Sequence, residues 1–107
     1  MIARIWRGRT KASAAEEYKH YLMETGVKST SSTEGNRGVY IWRKISGDTS
    51  EFVFVSVWES IDDIKKFAGN DVNKAVYYPK DKEYLLELEP EVEHYEVIFD
   101  SNSPQKR

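Results

Sequence analysis

Apolar side chains recur along the 107-residue chain in two rhythms. A two-residue alternation, typical of a half-buried strand, runs through 2–9 (IARIWRGR), 37–45 (RGVYIWRKI), 51–58 (EFVFVSVW) and 92–99 (VEHYEVIF). A three-to-four spacing, typical of a helix face, links Ala14, Ala15, Tyr18, Tyr21 and Leu22, and again Ile61, Ile64, Phe67 and Ala68. Ser13 with Glu16 predicts a capping box for the first helix, and Gly26 its stop. Ser60 with Asp63, and Gly69, do the same for the second. Residues 28–36 hold no large apolar side chain and predict a loop, whereas Ser46-Gly47-Asp48-Thr49 predicts a hairpin turn. Residues 71–78 predict a short helix capped by Asp71 and ended by Pro79, and residues 80–90 carry no clear pattern.

The order is β-α-β-β-α-β, an α+β ferredoxin-like antiparallel sheet with its helices on one face. It fills a single domain over 1–99, followed by a polar tail over 100–107 expected to be disordered. Alternation then sorts the strand residues. Ala3, Ile5, Val53, Val55, Val57, Tyr95, Val97 and Phe99 form a set suited to helix packing. The other set combines Arg4, Trp6, Phe52, Phe54, Ser56, Trp58, His94, Glu96 and Ile98. The expectation is that this mixed face carries no helix and is covered by a second copy, giving a homodimeric α+β barrel. A two-residue hairpin turn adds Val39, Ile41 and Arg43 to it; a three-residue turn adds Tyr40 and Trp42.

Composition narrows the function classes. The net charge is −2 with no basic block, so nucleic acid is not expected as a partner. There is no Cys, which removes disulfides, thiolate metal sites and a cysteine nucleophile. Two separate His and scattered carboxylates make no metal-ligand spacing, so no metal or cofactor is expected. No apolar run is long enough for a membrane helix, and Arg4, Arg7 and Arg9 break any leader, so a cytoplasmic location is expected. Aromatics reach 13%, which fits a large aromatic core, an interface, or a pocket for a flat ligand.

The stretches VFVSVWES, IDDIKKFAG, NKAVYYPKD and EVEHYEV resemble the antibiotic-biosynthesis-monooxygenase (ABM) family over roughly Ile2 to Phe99. The resemblance implies a ferredoxin-like protomer and a homodimeric barrel. It also implies oxidation of polycyclic aromatic compounds without metal or flavin in some members, and haem degradation in others. The haem-degrading pattern is an Asn on the first strand, a Trp on the second helix and a His on the short helix after it. Here Phe67 and Tyr77 occupy the Trp and His positions, and the first strand has no Asn. The quinone-forming pattern of Trp, Asn, Tyr and Arg is met loosely by Trp58, Asn70, Tyr77, Tyr78 and Arg4.

Two functions follow. One is a cofactor-independent monooxygenase acting on a small aromatic or reactive compound. His94 or Tyr77 serves as the base, Arg4 steadies a phenolate, and Trp6, Trp58, Phe67 and Tyr78 hold the ring. The other is a non-catalytic dimeric ligand-binding or stress-response module of the same fold. Each residue has a structural alternative. His94 can be a hydrogen-bonded core or interface histidine, Arg4 can pair with Glu96, and the aromatics can simply pack. An open cavity reaching His94 favours the enzyme; a closed interior favours the module.

Overall fold

The computed structural model describes residues 1–102, so residues 103–107 of the predicted tail lie outside the described residues. The chain runs β1 (Ile2–Lys11), a 3-10 turn (Ala12–Ala14), α1 (Ala15–Leu22), a wide π-helical turn (Met23–Val27) and α2 (Lys28–Ser31). It continues through β2 (Asn36–Ser46), β3 (Thr49–Trp58), α3 (Ile61–Ala68), α4 (Asp81–Tyr84) and β4 (Glu93–Glu96). The four strands form one antiparallel sheet in the order β2-β3-β1-β4. This is the ferredoxin-like arrangement that the alternation predicts. Ser46 pairs with Thr49 across a two-residue turn, with Gly47 at φ 60°, so Val39, Ile41 and Arg43 share a face with Phe52, Phe54 and Ser56.

The helices lie on the opposite side of the sheet from the expected one. Trp6, Phe52, Ala15, Tyr18 and Leu22 form a single buried cluster, and Tyr18 meets Phe52 edge-on at 5.3 Å. Trp58 and Ile64 are both fully buried, and Phe67 of α3 stacks on Trp58. The mixed face is therefore the covered one, because its aromatic rings fill the space beneath the helices while its polar groups find partners there. The aliphatic face of Ala3, Ile5, Val53, Val55 and Val57 carries no helix, and beside it Tyr40, Trp42 and Tyr95 are about half exposed. Ile98 and Phe99 lie beyond β4, almost fully exposed.

Local departures have local causes. The Ser13–Glu16 box does not form: Ala14 caps α1, and Glu16 instead bonds Lys19 and Arg43. Those two cations hold the Glu16 carboxyl down at about 2. Gly26 does not stop the helix. It is buried under Phe54, whose ring would lie 3.2 Å from an added Cβ, so the helix passes through it into 28–31 rather than into a loop. The Ser60 box does form, with Ser60 Oγ accepting from the Asp63 amide at 3.2 Å, and Gly69 ends α3 at φ 86°.

Residues 71–78 are not helical. They form a strap that pairs with 90–92 through Ala75 N to Pro90 O and Val92 N to Asn73 O. Asp71 closes a turn there by accepting from the Asn73 amide. Residues 80–90 hold α4 and a return to β1 through Leu86 N to Arg9 O. Within the predicted tail, the Asn102 amide donates to Asp100 at 3.0 Å.

Candidate functional site

Arg4 sits mid-strand, where alternation turns it under the helices. Ser56 of β3 is its cross-strand neighbour on one side and His94 of β4 on the other. Its guanidinium is buried, and Nη2 donates to the Lys74 carbonyl of the strap at 2.8 Å. It lies 5.5 Å from the centre of the Phe67 ring, a cation–π distance. Burial pushes Arg4 down to about 10, so it remains charged at neutral pH. Its Nε has no hydrogen-bond partner among the described residues, and neither has His94 Nε2. Burial, and then the Arg4 charge, lower the His94 pKa, which keeps that imidazole neutral at pH 7. Arg4 does not pair with Glu96, which faces Ile2 and is exposed.

Two of the predicted aromatic residues are braces. Trp58 is fully buried, stacks on Phe67 at 5.9 Å, and donates from Nε1 to Ser56 Oγ at 2.8 Å. Tyr77 accepts from Trp6 Nε1 at 3.1 Å and donates to the Glu89 carbonyl at 2.5 Å. Its hydroxyl thus ties the strap to β1 on both counts, and burial raises its pKa.

A cavity lies between the covered sheet face, the α1–α2 helix and the strap. Arg4, Trp6, Phe54 and Ser56 form its sheet wall. Tyr18, Leu22, Gly26 and Thr30 form the helix wall, and Phe67, Val76, Tyr78 and Asp81 close it. The free volume is about 40 Å³, room for a few waters. Asp81 accepts from the Tyr18 hydroxyl at 3.0 Å and from the Tyr78 amide at 2.6 Å. Burial raises the pKa of Asp81, and burial followed by Asp81 raises that of Tyr18. A carboxylate in such a place accepts a proton more readily than one in water.

Of the residues singled out from sequence, Arg4, Trp6, Phe67 and Tyr78 line this cavity, while Trp58, Tyr77 and His94 do not. His94 is nonetheless the direct ladder neighbour of Arg4, on the same face. Asn70 is exposed in the turn after α3. Tyr18, Thr30, Ser56 and Asp81 were not among the candidates. Asp81 falls in a stretch without periodicity, and Thr30 in a predicted loop.

The fold and the cavity define a class: a ferredoxin-like α+β protomer whose polar site is roofed by its own helices. The chain belongs to the antibiotic biosynthesis monooxygenase family, whose model matches residues 1–77. No curated protein matches the sequence. Among solved structures, a point mutant of MhuD with two manganese protoporphyrin IX molecules per active site is similar at 18% identity and TM-score 0.62. That match covers 96% of this chain and 100% of the other. A candidate antibiotic biosynthesis monooxygenase from Bacillus cereus is similar at 15% identity and TM-score 0.52, covering 97% and 96%. At these identities the likeness concerns the fold.

A porphyrin does not fit the cavity described. About 40 Å³ is far below its bulk, no His lines the space, and the Tyr77 hydroxyl is already doubly engaged. Among the described residues, no three His, Cys, Asp or Glu side chains gather to hold a metal ion. No helix among them is long and apolar enough to cross a membrane.

Proposed function

We propose that the protein is a monooxygenase that needs no bound cofactor and oxidises a small phenolic or similarly reactive aromatic compound. The observation that carries this is Arg4, a buried cation with an unused Nε donor in an aromatic-walled cavity that also holds a buried carboxylate, Asp81. The phenol gives its proton to Asp81, and Arg4 stabilises the resulting oxyanion. The electron-rich ring reduces dioxygen and combines with it. One oxygen atom stays as the second carbonyl of a quinone, and the other leaves as water with the two hydrogens lost by the ring and hydroxyl. Asp81 is preferred to His94 as the base because it lines the cavity and His94 does not. His94 stays neutral beside Arg4, so it leaves that positive charge intact. The protein works as a homodimer joined through the open aliphatic face, where Tyr40, Trp42 and Tyr95 otherwise stand in water.

The test is oxygen uptake with a panel of substituted monocyclic phenols, the smallest aromatic substrates for a cavity of about 40 Å³, in metal-free buffer. The expected result is one dioxygen consumed per quinone formed, falling about 100-fold in Arg4→Met. Uptake no faster than buffer across the panel would overturn the proposal. A second reading, a non-catalytic ligand-binding module, is favoured by the small cavity and by His94 standing outside its lining. It predicts a thermal shift with the same compounds and no oxygen uptake.

A further inference from the structure

Four residues of the α1–α2 helix line the cavity: Tyr18, Leu22, Gly26 and Thr30, one every four positions. A regular α-helix over-rotates by about 40° at each four-residue step, so three steps drift by about 120° and carry the last residue off the face. The π-helical turn at Met23–Val27 lies within this series, and its wider winding takes back part of that drift. Thr30 is thereby kept on the cavity side, 1% exposed.

The Thr30 hydroxyl is unusual for its helix. Thr25, Ser31 and Thr33 each donate to the carbonyl four residues back, at 2.7–2.8 Å. Thr30 Oγ1 has no hydrogen-bond partner among the described residues, although it is buried. Arg4 Nε, in the same lining, has none either. Ser56, the strand neighbour of Arg4, accepts from Trp58 Nε1 and keeps its own hydroxyl proton to donate. Leaving such groups unpaired is costly, and here they gather at one cavity.

We infer that Arg4 Nε, Thr30 Oγ1 and Ser56 Oγ form an oxyanion subsite, and that the ligand is bound as a phenolate or carboxylate by its charged oxygen. This rests on the proposed use of the cavity as the ligand site, and it adds Thr30 and Ser56 as specificity-determining residues. The three donors come from β1, β3 and the helix and line one cavity, and donors left unpaired by a neutral ligand of the same shape would disfavour it.

The experiment compares 4-nitrophenol, whose anion is coloured, with nitrobenzene, its uncharged counterpart. The protein should bind 4-nitrophenol as the anion, so that the coloured band grows on titration at a pH where the free probe is mostly protonated. Thr30→Val and Ser56→Ala should each weaken anion binding about tenfold and change nitrobenzene binding less than twofold. Thr30→Val should melt no lower than the wild type, because it removes a hydroxyl without a partner. Three outcomes would overturn the inference: no anion binding by the wild type, equal loss for both probes, or a destabilised Thr30→Val with unchanged anion affinity. Anion binding without oxygen uptake in the phenol panel would sink the monooxygenase proposal and leave the subsite standing. Oxygen uptake with no effect of either substitution would do the reverse.

Discussion

The two faces of the one sheet contrast in an unexpected way. The face under the helices contains Arg4, Thr10, Ser50, Ser56 and His94, while the face left open is built from Ala3, Ile5, Val53, Val55 and Val57. If each face were ranked by polarity alone, the aliphatic one would be placed beneath the helices. The covered face carries polar groups because three large rings, Trp6, Phe52 and Trp58, supply the buried apolar area and leave room between them for partners. The aliphatic face is bare in the protomer, with Arg7–Glu93 and Arg9–Glu87 ion pairs beside it, and it is the face that the proposed dimer would cover. In this sheet the face with interspersed polar residues encloses the cavity, while the open face is aliphatic at Ala3, Ile5, Val53, Val55 and Val57 and charged at Arg7, Arg9 and Glu51.

Substitutions that treat the faces alike sharpen this contrast. The largest effect is expected for Phe54→Asp, which puts an unpaired carboxylate under the helix and should unfold the protomer, at a cost of several kcal/mol. Its counterpart Trp42→Glu should leave circular dichroism unchanged and convert the dimer to monomer by sedimentation, since Trp42 is 56% exposed in the protomer. A folded Phe54→Asp would show that this wall tolerates a charge, and a Trp42→Glu that stays dimeric would move the proposed interface off the open face. Next comes Tyr18→Phe, which strips the Asp81 carboxylate of one donor at 3.0 Å. About 1–3 kcal/mol of stability should be lost, seen as a lower denaturation midpoint.

A smaller effect concerns pH. His94 has a folded pKa below its ordinary 6.5, so its neutral form is favoured by folding. That stabilisation is present above pH 6.5 and is lost as pH falls through the lowered folded value. Urea midpoints should decline across that window, and His94→Gln should flatten the decline. An identical slope in the variant would assign the acid sensitivity to other groups. The least effect is expected for Glu16→Gln. Glu16 is fully exposed, and its pairs with Lys19 and Arg43 should contribute nothing measurable to the melting temperature in physiological salt.

The strands were legible because alternation is local, but not all their limits: the last, expected over 92–99, is only Glu93–Glu96, and the pairs from Ser46↔Thr49 to Val39↔Ser56 follow once the turn, left open between two and three residues, is two. The sidedness of the sheet was not, because it depends on where the helices pack, and alternation is symmetric between faces. Glycine gave opposite outcomes for a physical reason. At Gly69 nothing lies near an added Cβ and φ is positive, so it ends a helix; at Gly26 a ring presses on the backbone, so it lets the helix through. For the site, Arg4 was legible as a cation placed mid-strand among apolar neighbours. Asp81 was not, because its burial comes from the strap folding back onto Tyr18, 63 residues away in sequence.

The wide turn at Met23–Val27 also bears on how such a domain can diversify. One residue added or removed there turns everything beyond it by about 100° about the helix axis. A single-codon deletion would exchange Thr30 for a neighbour at the cavity wall and leave the upstream sheet contacts of Tyr18 and Leu22 in place. The same scaffold could thus acquire a different ligand preference in one genetic step, without passing through an unfolded intermediate sequence.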